Sequence, residues 1–281
     1  MAIKIITDSS ADIPADEIKQ LNVSVIPLRT VFGDKEYLDN VTMTNEQFYQ
    51  MLEDGGYPKT CQITPYEYQK VFAQATENGD EVVCLTLSGE LSGTAHNAQI
   101  AAEEFDGKVF AVDSLNATAG LHILVCLAAS LRDQGLSAQE IAEQLQIAKK
   151  KVRLYAVIDT LEYLKKGGRI SATIAFAGTL LNIKPIITVH DGKVEVIAKA
   201  RGMKNAQTLL NQYIDKTNGI DYSKPYGFIY SGVSDDALQK YKQENPQLWQ
   251  GNEAMMKTSQ LGSTIGTHIG PGAVGIAFFE K

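Results

Sequence analysis

The hydrophobic pattern of this chain changes its period near the middle. Up to about residue 150, short β-branched apolar runs alternate with stretches of helical period. Strands are predicted over Ile3 to Thr7, Val23 to Leu28, Val82 to Thr86 and Lys108 to Asp113. Helices are predicted from Pro14 to about Leu21, Thr44 to Asp54, Pro65 to Glu77, Ala95 to Glu104, Thr118 to Gln134 and Ser137 to Val152. Pro14 suits a first helical turn, while Gly55-Gly56 and Gly135 supply stops. Thr30 to Tyr37 reads as a hairpin around Gly33-Asp34, and Thr60 to Thr64 as a polar loop. Strands alternating with helices imply a mostly parallel sheet with flanking helices.

From about Leu154 the pattern is different. Leu154 to Ile158 is a predicted strand, and Leu161 to Lys166 a short helix closed by Gly167-Gly168. Ile183 to Val189 and Lys193 to Ala198 flank His190-Asp191-Gly192, an Asp-Gly hairpin signal. A helix over Lys204 to Lys216 follows. Gly227 to Ser231 and Asn252 to Lys257 read as strands, with a helix around Ser234 to Glu244 between them. Ala273 to Phe279 closes the chain as a strand. Hairpins among strands imply a mixed or antiparallel sheet. The chain therefore reads as α/β with two domains, residues 1–152 and 153–281. No long linker, repeat or low-complexity tract separates them, so tight packing is expected.

The densest chemistry lies in Glu81 to Ala98, EVVCLTLSGELSGTAHNA. A buried strand, a turn of hydroxyls and glycines, and a helix start follow one another. This places free backbone N–H groups and hydroxyls at the carboxyl edge of a sheet, where open α/β folds bind ligands and where a helix N-terminus favours an anion. Gly93 would let a ligand approach the backbone closely. Three more polar turns stand near strand ends: Thr7 to Asp12, Thr60 to Thr64, and Asp113 to Thr118. From the residues alone each turn reads as a ligand-binding edge or as a helix cap.

Composition narrows the function. The chain has 281 residues, 44% of them hydrophobic, and a formal charge of −7 with no basic run longer than Lys149-Lys150-Lys151. Nucleic acid and anionic membrane surfaces are poor partners for such a protein. The three cysteines, Cys61, Cys84 and Cys126, are widely spaced, which fits a reducing, cytoplasmic setting without a disulfide framework. Asp8 interrupts the N-terminal apolar run too early for a signal peptide, and the apolar helix near Gly120 to Leu131 is too short to span a bilayer. There is no GxxxxGK[ST] loop and no G-x-S-x-G elbow. Gly270 to Gly275, GPGAVG, has the spacing of a dinucleotide fingerprint but precedes a terminal strand, so that reading fails. Histidines 96, 122, 190 and 268 show no recognisable zinc spacing, so no metal is expected.

Several of these stretches also carry a resemblance. LSGELSGTAHNAQIAA is similar to the central motif of the DegV family, whose usual form is close to LSSxLSGTYxSA. Thr7-Asp8-Ser9-Ser10-Ala11-Asp12, Thr60-Cys61-Gln62-Ile63-Thr64-Pro65, Val112-Asp113-Ser114, Leu161 to Ser171, and His268-Ile269-Gly270-Pro271-Gly272 follow the family order over essentially the whole chain. The resemblance implies a two-domain fatty-acid-binding protein, the lipid-carrying subunit of a bacterial fatty-acid kinase. Its C-terminal domain would close the lipid tunnel. The partner subunit would bring ATP, and the carrier would need no cofactor beyond its acyl ligand. Thr60, Ser92 and His268 are expected at the ligand carboxylate, with Gly93, Thr94, Asp8, Ser9 and Ser114 in support. Thr and Ser are neutral donors that orient a carboxylate without a bidentate Arg pair. Arg169 and Arg201 are expected to meet the kinase or the transferring phosphate. Cys61 departs from the Ser common in the family, and a thiol is the weaker donor. Apolar stretches Gly120 to Leu131 and Ile174 to Ile183 are candidate tunnel walls, or plain core. The rival reading is a hydrolase or acyltransferase acting through Ser92, with His268 as base.

Overall fold

The structure, a computed structural model, describes residues 2–170 and 182–281. In chain order the strands are β1 (Ile3–Asp8), β2 (Val23–Ile26), β3 (Arg29–Phe32), β4 (Lys35–Leu38), β5 (Lys59–Cys61), β6 (Glu81–Thr86), β7 (Val109–Asp113), β8 (Val152–Val157), β9 (Ile183–His190), β10 (Lys193–Arg201), β11 (Tyr226–Tyr230), β12 (Met256–Gln260) and β13 (Val274–Phe279). The helices are α1 (Ala15–Gln20), α2 (Asn45–Glu53), α3 (Pro65–Thr76), α4 (Thr94–Ala102), α5 (Thr118–Asp133), α6 (Ala138–Ala148), α7 (Glu162–Lys166), α8 (Met203–Asp215), α9 (Asp236–Glu244) and α10 (Ser263–Ile269).

Three sheets result. The first is parallel, in the order β2-β1-β6-β7. The second has the order β10-β9-β8-β13-β11-β12 and is antiparallel except for the β11–β12 pair. The third is a small antiparallel sheet, β4-β3-β5. The chain is thus α/β, with one parallel and one mixed sheet. Local sequence explains several helix starts: Thr44 with Gln47, Thr64 with Glu67 and Ser137 with Glu140 form capping boxes.

Packing depends on period. Along β8, Leu154 and Ala156 belong to the large core shared with the parallel sheet, while Val157 joins a second core under α8 and α9. β9 divides in the same way, with Ile187 on one face and Ile186 on the other. The long helix α5 is apolar almost all round, as a helix covered on every side must be. It packs against β1 and β6 of the parallel sheet and against β8, β11, β12 and β13 of the mixed one.

Four local expectations differ from the structure. Part of the polar loop at Thr60 is strand β5, because Thr60 pairs with Thr30 and so completes the small sheet. The strand expected over Asn252 to Lys257 begins only at Met256, after a 3-10 turn over Glu253–Met255. The helix expected to reach Val152 stops at Ala148, and Val152 begins a strand. Helix α10 was not expected at all. The tunnel-wall stretch Ile174 to Ile183 lies outside the described residues up to position 181, and Ile183 opens β9.

Candidate functional site

The carboxyl ends of the parallel strands face the mixed sheet, and between them lies a cavity of about 490 Å³. One face of the mixed sheet supplies Leu154, Ala156, Ile187, Val189 and Ile229 to its wall. Helix α10 and its approach add Leu261, Ile265 and Ile269, and the turn after β6 adds Leu87 and Leu91. Polar side chains gather at one end, where Thr60, Gln62, Ser92, Arg169 and His268 all line the cavity.

The centre of this end is a pair brought together from distant sequence. Thr60 Oγ1 lies 3.0 Å from His268 Nε2. β5 carries the threonine and α10 the histidine. The other ring nitrogen, Nδ1, is buried without a partner among the described residues. Burial and then the nearby Arg169 charge hold the imidazole pKa down to about 4, so the ring is neutral near pH 7. Gly167 gives this ring its room: a Cβ there would sit 2.1 Å from His268 Nδ1.

Ser92 sits across the turn that precedes α4. Its Oγ is 2.9 Å from Thr94 Oγ1 and accepts from the Thr94 N–H at 3.3 Å. Ser92 therefore lines the cavity and steadies the helix start at once, and Gly93 lines the cavity beside it. Gly93 is closed over by Gln62, whose Oε1 would lie 2.1 Å from a Cβ at that position.

Arg169 is half-buried in the cavity wall. Its Nε donates to the Leu91 carbonyl at 3.1 Å and its Nη1 to the Gly167 carbonyl at 2.5 Å. No carboxylate pairs with it among the described residues, and burial lowers its pKa. A guanidinium thus stands beside the neutral donors Thr60 and Ser92 in the cavity wall. Arg201 lies elsewhere, exposed at the end of β10 and absent from the cavity wall.

The remaining candidates are not cavity-lining side chains. Asp8 accepts from Leu87 N at 2.7 Å, from Ser10 N at 3.0 Å and from the Ser10 hydroxyl, so it ties the ends of β1 and β6 together. Burial pushes its carboxyl up to about 6 against those hydrogen bonds. Ser9 donates to Asp39 Oδ2 at 3.0 Å and accepts from Leu28 N at 3.0 Å. Ser114 closes its own turn through the Asn116 backbone. Thr94 is buried beneath Ser92. Sequence reasoning named Gln62 and Thr118 only as members of polar turns, and it passed over Thr264, which also lines the cavity.

One group among the described residues could hold a metal ion: Glu17, His122 and Cys126. His122 and Cys126 are one helical turn apart on α5, a spacing that the scattered histidines hid. Lys257 Nζ lies 2.5 Å from Glu17 Oε1, and Ser259 Oγ lies 3.0 Å from His122 Nδ1. Burial opposes the Glu17 charge, but His122 and Lys257 hold its pKa down to about 2. A lysine ammonium already neutralises this group. Among the described residues no helix is long and apolar enough to cross a membrane.

This architecture has known counterparts. A DegV domain-containing protein of Caldanaerobacter subterraneus is 36% identical over 281 residues, covering 99% of each chain. A Thermus thermophilus structure, described as fatty acid binding of a DegV family protein, superposes with a TM-score of 0.87 at 33% identity over 100% of both chains. Bacillus subtilis DegV, described as a fatty acid binding protein, gives a TM-score of 0.84 at 29% identity over 100% of both chains. The DegV family model, described as that of an uncharacterised protein family, matches residues 2–281, and the chain belongs to that family.

Proposed function

We propose that this protein is a cytoplasmic carrier that binds a long-chain fatty acid in the cavity and presents its carboxyl group to a partner kinase, which forms the acyl phosphate. The observation that carries the reading is a mostly apolar cavity with the Thr60–His268 pair, Ser92, Gln62 and Arg169 in its wall. Its volume of about 490 Å³ falls within the roughly 300–1,000 Å³ of small-molecule pockets. A tail of about fifteen methylenes, at roughly 0.8 kcal/mol each, gains on the order of 12 kcal/mol before ordering costs. The tail therefore supplies affinity and the head site supplies geometry. Residues 1–152 would contribute most of the head-group loops, and residues 153–281 the sheet that closes the tunnel. The fatty-acid descriptions of the Thermus and Bacillus proteins support the ligand class.

In this reading Thr60, Ser92 and His268 orient the carboxylate, with Gly93 and Thr94 shaping the turn. One oxygen stays free to attack a phosphoryl group held by the partner, which brings ATP and most of the charge stabilisation. Asp8, Ser9 and Ser114 support the loops from behind through their own hydrogen bonds. The rival, a Ser92 hydrolase, lacks its nucleophile–base contact: Ser92 Oγ bonds Thr94, and His268 Nε2 bonds Thr60. Organic extraction of the native protein followed by mass spectrometry tests the carrier. Free fatty acid near one equivalent per chain is expected. Protein without acyl ligand, combined with ester turnover abolished by Ser92→Ala, would establish the rival instead.

A further inference from the structure

Helix α5 carries two side chains that its packing role does not explain. His122 and Cys126 are buried and stand four residues apart, so they share one face of a mostly apolar helix. Glu17 of α1 meets them there. Its Oε2 lies 3.2 Å from His122 Nε2, and its Oε1 lies 3.9 Å from Cys126 Sγ. One donor atom from each of the three residues lies within 4.8 Å of the other two. None of the three lines the cavity described above.

Imidazole, thiolate and carboxylate are the three side-chain donors that bind zinc. Two of them at i and i+4 on one helix face, with a third from elsewhere, is a recurring zinc arrangement. Zinc bonds of about 2.0–2.3 Å in a tetrahedron put the donor atoms about 3.3–3.6 Å apart. The separations of Glu17 from His122 and from Cys126 fall on either side of that range, so small side-chain shifts suffice. Ser259 of β12 supplies the outer partner that a ligating histidine uses. Its Oγ lies 3.0 Å from His122 Nδ1, so Nδ1–H donates to it and Nε2 keeps its lone pair for the ion.

The group also accommodates positive charge. Lys257 Nζ lies 2.5 Å from Glu17 Oε1. The Lys257 side chain is 24% exposed and that of Glu17 13%, so the cation side opens to solvent while His122 is sealed behind it. Zn²⁺ held by one carboxylate and one thiolate is neutral, as the Glu17–Lys257 pair is. Exchanging one for the other leaves no unpaired charge in the protein.

We propose that Glu17, His122 and Cys126 form a zinc site in which Zn²⁺ takes the place of the Lys257 ammonium. The Cys126 thiol gives its proton to solvent, Lys257 swings outward still protonated, and a water fills the fourth position. The ion ties α1 to α5 and, through Ser259, to the edge strand of the mixed sheet, so it stabilises the folded chain. The site is independent of the acyl ligand.

The test uses untagged, reduced full-length protein stripped with a chelator. It is titrated with Zn²⁺ against a chromophoric chelator and, separately, with Co²⁺ by absorption. One Zn²⁺ per chain with a Kd of about 1 µM or below is expected, with a higher melting temperature. Co²⁺ should give a thiolate-to-metal charge-transfer band that Cys126→Ser removes. Cys126→Ser and His122→Gln should weaken Zn²⁺ binding at least tenfold. Lys257→Met, at the exposed rim, should bind Zn²⁺ about tenfold tighter, because the competing ammonium is gone. The wild-type Co²⁺ spectrum needs no variant and so decides the matter even if a substitution prevents folding. No stoichiometric Zn²⁺ binding by the wild type, binding without the thiolate band, or a Lys257→Met protein that binds no tighter would each overturn the proposal and leave an ion-pair cluster closed by lysine.

Discussion

Gly167 and Gly168 are neighbours whose alanine variants should fail in different ways. Gly167 caps α7 with φ −74° and ψ −8°, a conformation open to any residue. Its constraint is the imidazole. A Cβ would lie 2.1 Å from His268 Nδ1 and 2.8 Å from Cε1, whereas ordinary contacts begin at 3.4 Å. In Gly167→Ala the ring must move by about 1 Å. That is enough to break the 3.0 Å contact with Thr60, worth roughly 1 kcal/mol, and to misplace the carboxylate acceptor. Fatty-acid affinity should fall about five- to tenfold. Gly168 has φ +70° and open space around it, so Gly168→Ala meets no atom and strains only the backbone. It should cost about 1–2 kcal/mol of stability and leave affinity alone. Urea unfolding and equilibrium competition on both variants separate the two effects. Wild-type affinity in Gly167→Ala, or a larger binding loss in Gly168→Ala, would show that the His268 ring does not organise the head site.

Three further outcomes follow from the same geometry. Thr60→Ala, Ser92→Ala and His268→Ala should each cut acyl-phosphate formation, measured with the kinase and ATP, by more than they cut affinity for the acid, which should fall about five- to tenfold as in Gly167→Ala; normal formation by all three sinks the head-site assignment. Arg201→Ala should keep its bound acid and melting temperature and lose acyl-phosphate formation, whereas Arg169→Ala should also loosen the acid; a wild-type kinase rate for Arg201→Ala moves the docking face elsewhere. Stability should carry an Asp8 signature, because its pKa rises from 3.8 to about 6 on folding: this contribution is fully present below pH 3.8 and is lost as pH rises through 6, at about 3 kcal/mol in all. Denaturant unfolding at several pH values, compared with Asp8→Asn, checks this, and parallel pH profiles for the two proteins contradict it.

Most of the fold was legible where period and punctuation act locally. The parallel strands, the capped helices and the Asp-Gly hairpin at Asp191-Gly192 all appear where the pattern puts them. Helix α10 was illegible for a physical reason. Ser263, Thr264, Gly266 and Thr267 are poor helix formers, and no side chain of its own sequence caps it. Its N–H groups are satisfied from far away, with Asp39 accepting from Ser263 N at 2.9 Å and from Thr264 N at 3.3 Å. Gly266 is required because Phe48 lies 2.5 Å from the position of a Cβ. The helix that carries His268 is thus specified by tertiary contacts. The site shares this limit. Thr60 and His268 were marked by family-like motifs, but their meeting across 208 positions is a property of β5 and α10 together. Arg169 is expected from its motif to meet the kinase or the transferring phosphate, and nothing local shows that its guanidinium turns into a cavity.

That turn of Arg169 changes the electrostatics of the head site and leads to a last prediction. Among the described residues the half-buried Arg169 guanidinium meets carbonyls and no carboxylate, so it has lost hydration there without a counter-charge. Its field helps to hold His268 neutral, second to burial, with the pKa near 4. A ligand carboxylate entering this end brings the missing counter-charge. It offsets the Arg169 field at the ring and itself favours the imidazolium. The His268 pKa should therefore rise on binding, from about 4 toward the ordinary 6.5. Between those values the complex takes up a proton that the empty protein does not, so affinity through this group should improve as pH falls. Above pH 7 the ring is neutral in both states and the effect vanishes. An NMR titration of the His268 ring with and without a saturating acid reads the shift directly. A pKa that stays near 4 in the complex, or falls further, would mean that the carboxylate lies away from Arg169 and His268, at the other end of the cavity.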